Sequence, residues 1–203
     1  MRFIIATKNQ KKLNELHRIL IPLGCDAVSE KTSGFTFPDV EENGTTFAEN
    51  AKIKAVSAMK TTGLPAIADD SGLCVDALDG APGVYTARFG TMNGFGDSHD
   101  ATANIRCLLA KMEGKENRAC RFRTVIALIR HKAEGGLEEH LFEGIVEGKV
   151  VTALRGENGF GYDPVFEVEE TGLTFAEMGP EGKNTISHRA RAVAKLDQFL
   201  KKN

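Results

Sequence analysis

The chain has 203 residues, 41% of them hydrophobic, and sets 26 basic against 28 acidic side chains for a formal charge of −2. Such a composition belongs to an ordinary globular protein, long enough for one substantial core. The near-neutral balance gives no global field for nucleic acid, membrane or another polyanion surface, so any anion site must be local.

In chain order, Arg2 to Ala6 reads as a buried strand. Asn9 to Ile21 follows as a helix with Leu13, Leu16, Ile19 and Leu20 on one face, the opening unit of many α/β folds. After a polar connection, Thr46 and Glu49 have capping-box spacing and announce a helix that runs to about Lys60 and stops at Thr62-Gly63. Pro65 to Ala68 is expected as a short strand, Asp69 to Gly72 as a polar turn, and Leu73 to Leu78 as a second strand. Gly80 to Gly83 and Gly90 to Gly96 read as loops. Ser98 to Met112 is expected as a helix, and Arg121 to His131 with Leu137 to Val146 as an antiparallel hairpin turned by Ala133 to Gly136. A Gly- and Asp-rich loop over 155–166 precedes a second capping-box spacing, Thr174 to Glu177, expected to start a short helix. An amphipathic helix from about Ser187 to Lys201 closes the chain. No repeat or linker divides it, so 1–203 reads as one continuous domain.

Cys25, Cys74, Cys107 and Cys120 form neither a CxxC pair nor a Cys/His ligand set. The residues before Lys8 are too few for a signal-peptide core, and no apolar run reaches membrane length. A reducing cytoplasm is the expected location.

Several polar constellations can carry chemistry, each with a plainer alternative. The turn Thr7, Lys8, Asn9, Gln10, Lys11, Lys12 opens a helix, where unpaired N–H groups and the dipole favour anions; the lysines make phosphate the natural guest. It reads equally well as a solvated first turn. Glu41-Glu42 and Asp69-Asp70 are carboxylate pairs suited to Mg²⁺, which takes one or two carboxylates with phosphate oxygens; a surface loop and an Asx-type turn are the alternatives. Lys54 lies on the capped helix among lysines that are ordinarily solvated. Phe160, between two glycines, presents a ring that could stack on a nucleobase or fill a core. Lys183, His188 and Arg189 flank the last helix, and a guanidinium matches the O6 and N7 acceptors of a 6-oxopurine.

The segments "ATKNQKK", "EENGTTFAENAKIKA", "ADDSGLCVDALDGAPGVYTARF", "GFGYDPVF", "TFAEM" and "KNTISHRARA" resemble, in order and over nearly the whole chain, the inosine triphosphate pyrophosphatase family. The resemblance implies an α/β fold, an elongated mixed β-sheet with flanking helices and two lobes around a central cleft, usually in a homodimer. It implies Mg²⁺-dependent hydrolysis of non-standard purine nucleoside triphosphates (ITP, dITP, XTP) to the monophosphate and pyrophosphate, with no nucleic acid or membrane partner. Carried over residue by residue, Thr7 to Lys12 would hold the triphosphate, Glu41 and Asp70 the metal, and Asp70 would also accept the proton of the attacking water. Lys54 would face the phosphates and Ser71 would touch substrate beside the metal. Phe160 would stack on the base with Gly161, Tyr162 and Asp163 completing that wall, and Lys183, His188 and Arg189 would read the 6-oxo edge. Lys8 stands where many relatives have a small residue, and Gly182 precedes Lys183 where an acidic residue is common. The rival expectations are a pyrophosphatase of broader or pyrimidine specificity and a non-catalytic nucleotide sensor.

Overall fold

A computed structural model describes residues 2–97 and 99–202 of the chain. It is a mixed α/β protein with one six-stranded sheet of order β2-β1-β3-β4-β5-β6. The strands are β1 (Arg2–Ile5), β2 (Asp26–Val28), β3 (Ala66–Val75), β4 (Ala119–His131), β5 (Leu137–Val150) and β6 (Phe166–Val168). The helices are α1 (Gln10–Leu20), α2 (Glu30–Ser33), α3 (Phe47–Thr62), α4 (Phe89–Met92), α5 (Ala101–Lys111), α6 (Pro180–Ile186) and α7 (His188–Leu200). β1 pairs in parallel with both β2 and β3, whereas β5 and β6 are antiparallel. The chain forms two compact units, and β3, β4 and β5 each contribute to both.

The first unit comprises residues 1–70, 124–144 and 189–203. From β1 the chain crosses through α1 to β2 on one side, then through α3 to β3 on the other. Right-handed crossovers in opposite directions place the two helices on opposite faces of the sheet. The packing follows this rule. Leu13, Leu16 and Leu20 of α1 join Val193 and Leu196 of α7 against Phe3, Ile5, Ile67, Ile126 and Leu128. Ala51, Ala55 and Met59 of α3 pack on Ile4, Ala66, Ala68, Ala127 and Ile129. Odd residues of β1 and β3 therefore face α1 and α7 while even ones face α3, the period-2 alternation of a strand covered on both sides.

α3 starts where its capping box requires. Thr46 accepts the Glu49 N–H, Glu49 accepts the Thr46 N–H in return, and Gly63 at φ 71 ends the helix in the left-handed region. Thr46→Ala should cost about 1 kcal/mol, read as a lowered urea midpoint with an unchanged slope; an unchanged midpoint would mean that the cap is idle.

The second unit comprises residues 71–123 and 145–188. Its core gathers Leu73, Val75, Leu108, Met112, Phe122, Val146, Phe166 and Phe175. Asp100 caps α5 by accepting the N–H groups of Thr102 and Ala103, so the helix starts just inside the expected span. Ser98, where that span began, lies outside the described residues.

Several elements differ from expectation. Residues 69–72 are not a turn: β3 runs unbroken from Ala66 to Val75 through both acids. Two adjacent carboxylates are tolerated there because they point to opposite faces, each toward its own cations. The Thr174 and Glu177 capping bonds do form, at 2.7 and 3.2 Å. They close a single turn rather than open a helix, because Gly179 and Pro180 follow at once. Pro180 then starts α6, which the loop-like composition had hidden, and proline at a first helical position is well suited to that role. The 132–136 turn joins β4 to β5 as expected, with the Lys132 N–H donating to Gly136 O at 3.1 Å.

Candidate active site

In the first unit β1 ends at Ile5, paired with Ile67, and the Ala6 N–H still donates to Ile67 O at 2.8 Å. β3 continues past the end of β1, so Asp69 and Asp70 lie alongside the turn that leads into α1. The chain's crossovers reverse direction between β1 and β3, the kind of position where parallel sheets place ligands.

Asn9 is the N-cap of α1, and its Oδ1 accepts the N–H groups of Lys11 and Lys12 at 3.0 and 3.2 Å. Two amides expected to meet an anion are thus taken by the cap, and the positive character of the turn comes from its lysines. Lys8 pairs with Asp39 at 2.5 Å on the surface, and Lys12 reaches inward to Asp69 at 3.3 Å. Burial pulls Lys12 below the ordinary lysine range, with Asp69 opposing.

Asp69 and Asp70 serve two clusters. On the α1/α7 face, the Arg189 Nε and Nη2 donate to Asp69 Oδ2 at 3.2 and 3.1 Å, and its Nη1 meets Glu15 of α1. Arg189 is 1% exposed and Asp69 2%. On the α3 face, Lys54 Nζ lies 3.2 Å from Asp70 Oδ1 and 2.7 Å from Glu42 Oε2. Asn50, one helical turn before Lys54, donates to Asp70 Oδ2 at 3.3 Å and accepts the Gly44 N–H at 2.8 Å, tying the 42–46 loop to the helix. Burial pushes the Asp70 carboxyl above the usual aspartate range despite the opposing pull of Lys54 and Lys12. Burial also works against the Lys54 charge, but Asp70, Asp69 and Glu42 together outweigh it and hold the ammonium above the ordinary lysine range.

The second unit assembles the aromatic part. Asp163 Oδ2 accepts the Phe160 N–H at 2.8 Å and Lys183 Nζ at 2.6 Å. The Lys183 ammonium stands 4.7 Å from the centre of the Phe160 ring and 5.3 Å from that of Phe175. Such a cation over a ring is attracted by the ring quadrupole. His188 lies flat on Phe122, centroids 4.8 Å apart and planes 10° from parallel. Ser71, the next residue of β3 after Asp70, is half-buried.

Thus Thr7 to Lys12, Lys54, Asp70 and Arg189 fall in one unit, and Phe160, Asp163, Lys183 and His188 in the other. Several of these residues have surroundings that the sequence does not show. Tyr162 belongs to the core, 3% exposed, with its hydroxyl donating to Thr86 O at 3.1 Å, so burial raises its phenol. Glu41 and Glu42 are both exposed, and the carboxylate brought to Lys54 is that of Glu42. Arg189 is clamped by Glu15 and Asp69. Asn50 and Glu15 were not singled out from sequence. Asn50 had a usable signal, because asparagine is a poor helix former and this one lies four residues before Lys54 on a buried face.

As a test of whether these residues suit a hard divalent cation, Glu42 and Asp70 already converge on one ammonium, as an oxygen-donor pair for such an ion would. Among the described residues no group of three or more His, Cys, Asp or Glu could hold a metal alone. Mg²⁺ needs no more than one or two carboxylates when phosphate oxygens complete its shell, so the donor set fits.

The fold is that of an α/β protein, with a cationic turn and buried acids at a sheet switch point in the first unit and an aromatic segment with its own buried lysine in the second. The chain belongs to the Ham1 family, whose profile matches residues 3–199. It is similar to the dITP/XTP pyrophosphatase of Desulforamulus reducens, 48% identical over 98% of this chain and 96% of that one. The Bacillus licheniformis dITP/XTP pyrophosphatase is 47% identical over 97% and 96%. Among solved structures, a HAM1 protein from Coxiella burnetii superposes with a TM-score of 0.85 at 38% identity, covering 100% of both chains. No helix among the described residues is long and apolar enough to cross a membrane.

Proposed function

We propose that this protein is a nucleoside triphosphate pyrophosphatase that hydrolyses dITP, ITP and XTP to the monophosphate and pyrophosphate. The observation that carries the reading is the cluster around Asp70: a buried carboxylate in reach of Lys54, with a second cation, Lys12, bound to the neighbouring acid. A binding module needs cations for phosphate. It does not need a buried carboxylate with a raised pKa among them.

Lys8, Lys11 and Lys12 neutralise the polyphosphate, with Thr7, Asn9 and Gln10 as neutral partners. Asp70 orients water toward the α-phosphorus and takes its proton, and Lys54 steadies the charge that builds on the phosphate oxygens. Mg²⁺ would be held by Asp70 and a carboxylate of the Glu41-Glu42 pair, and when bound it lowers the pKa of a coordinated water and screens phosphate charge. Ser71 contacts substrate next to Asp70.

Phe160 stacks on the base, with Gly161, Tyr162 and Asp163 shaping the segment that carries it. Lys183, His188 and Arg189 read the 6-oxo edge. A guanidinium suits that role because it has donors and no acceptor, so the 6-amino donor of adenine finds no partner there, and two carboxylates hold it in place. A mismatch of that kind costs about 1–3 kcal/mol per contact. The protein works as a cytoplasmic homodimer, in the compartment of its nucleotide pool, where its four unpaired cysteines stay reduced.

Pyrophosphate release from ITP, dITP, XTP, GTP, ATP and dCTP with Mg²⁺, repeated in EDTA, tests the reading. ITP, dITP and XTP should be turned over at least about tenfold faster than ATP, and EDTA should abolish turnover. Equal rates on all six nucleotides would favour a general pyrophosphatase. ITP binding without any pyrophosphate would favour a sensor.

A further inference from the structure

We propose that Arg155, which no step above uses, is a positioning residue for purine recognition: it braces the segment that presents Phe160. The proposal rests on the base-stacking role given to Phe160. Arg155 is outside the hydrophobic core, its side chain 37% exposed, yet each of its guanidinium nitrogens is engaged. Nε donates to Glu177 Oε1 at 3.2 Å and Nη2 to Glu177 Oε2 at 2.8 Å, a two-pronged grip on one carboxylate. Nη2 also donates to Gly172 O at 3.0 Å, and Nη1 pairs with Glu167. Its main chain is held as well: the N–H donates to Pro164 O at 2.9 Å and the carbonyl accepts Thr174 Oγ1 at 2.8 Å.

From Arg155 the contacts run without a gap to the ring. Gly156, at φ +82, lies so close to the 174–178 turn that a Cβ would stand 2.3 Å from the Ala176 carbonyl carbon. Asn158 donates both its main-chain N–H and its Nδ2 to Ala176 O, each at 3.1 Å. A Cβ at Gly159 would fall 2.0 Å from Asp163 Oδ2, the same oxygen that holds the Phe160 N–H and the Lys183 ammonium. The guanidinium fork thus fixes the Thr174–Glu177 turn. That turn fixes 156–158, and these residues set where Phe160 and Lys183 meet. A lysine at 155 could reach one carboxylate but could not fork.

The effect should fall on the base and spare the phosphates. Arg155→Met is expected to lower the ITP-over-ATP ratio of kcat/KM by about tenfold, mainly through a raised KM for ITP. The inhibition constant of inorganic tripolyphosphate, which has no base, should stay within about twofold. Arg155→Lys should fall between. A melting curve for each variant confirms folding, and if Arg155→Met does not fold, Arg155→Lys and Glu177→Gln carry the same comparison. An unchanged ratio in a folded variant overturns the proposal, as does a loss of tripolyphosphate inhibition in step with ITP, which would mark a merely structural residue. If the unsubstituted protein itself shows no preference for ITP, the purine reading fails instead, and the two failures are told apart by that control.

Discussion

Asp70→Asn should lower pyrophosphate release from ITP by about three orders of magnitude while leaving ITP binding within a few-fold. The size follows from what a positioned general base contributes, roughly 10²–10⁴. Binding is expected to survive because Asn has nearly the same shape and can still meet Lys54 and Asn50, while Lys54 keeps Glu42 as a partner at 2.7 Å. The wild-type pH profile is linked to the same group. Burial raises the Asp70 carboxyl, so it is protonated, and useless as a base, at a higher pH than an ordinary aspartate. Activity should therefore fall on acidification through a limb lying above the usual aspartate range, and kcat/KM against pH for the free enzyme should show it. Asp70→Asn retaining more than about a tenth of the wild-type rate would take the base role from this residue.

Arg189→Met should destabilise the fold by about 3–5 kcal/mol, the range for removing one partner from a buried ion cluster. Glu15 and Asp69, 8% and 2% exposed, would be left facing each other, with Lys12 still paired to Asp69. Urea unfolding measures the loss. The double variant Glu15→Gln/Arg189→Met should regain part of it, since it removes one of the stranded charges. A single variant within about 1 kcal/mol of wild type would mean that the cluster is looser than its geometry implies. Base discrimination should also fall, and the double variant separates the effects: stability recovers with Glu15→Gln, whereas the lost reading of the 6-oxo edge does not.

The parts of the fold legible from sequence were those with local signals. The apolar run before Lys8, the spacing of Leu13, Leu16 and Leu20, and the Thr46 and Glu49 box each depend on residues within a turn or two of one another. β3 was misread because two adjacent acids count locally as a turn. Only the helices on both faces of the sheet supply the cations that make Asp69 and Asp70 acceptable in a strand. α6 was missed because Gly179, Pro180 and Gly182 resemble a loop by composition.

The candidate site was legible as residue types and not as pairings. Lysines beside a helix start and acids after an apolar run suggested phosphate and metal, and the structure keeps Lys12, Lys54 and Asp70 together. Glu15 had no signal to find, since its partner Arg189 lies 174 residues away. Sequence alone also could not tell that Glu42 meets Lys54, or that Tyr162 faces the core while Phe160, two residues earlier, does not. A strand-like register would have put both rings on one side, but Gly161 at φ 60 breaks that alternation.

The most direct measurement is hydrolysis of ITP in ¹⁸O-labelled water with Mg²⁺, with the products separated and weighed. Attack at the α-phosphorus predicts IMP and pyrophosphate, the label entering the IMP phosphate and the pyrophosphate emerging unlabelled. IDP with labelled orthophosphate, or no hydrolysis at all, would contradict it.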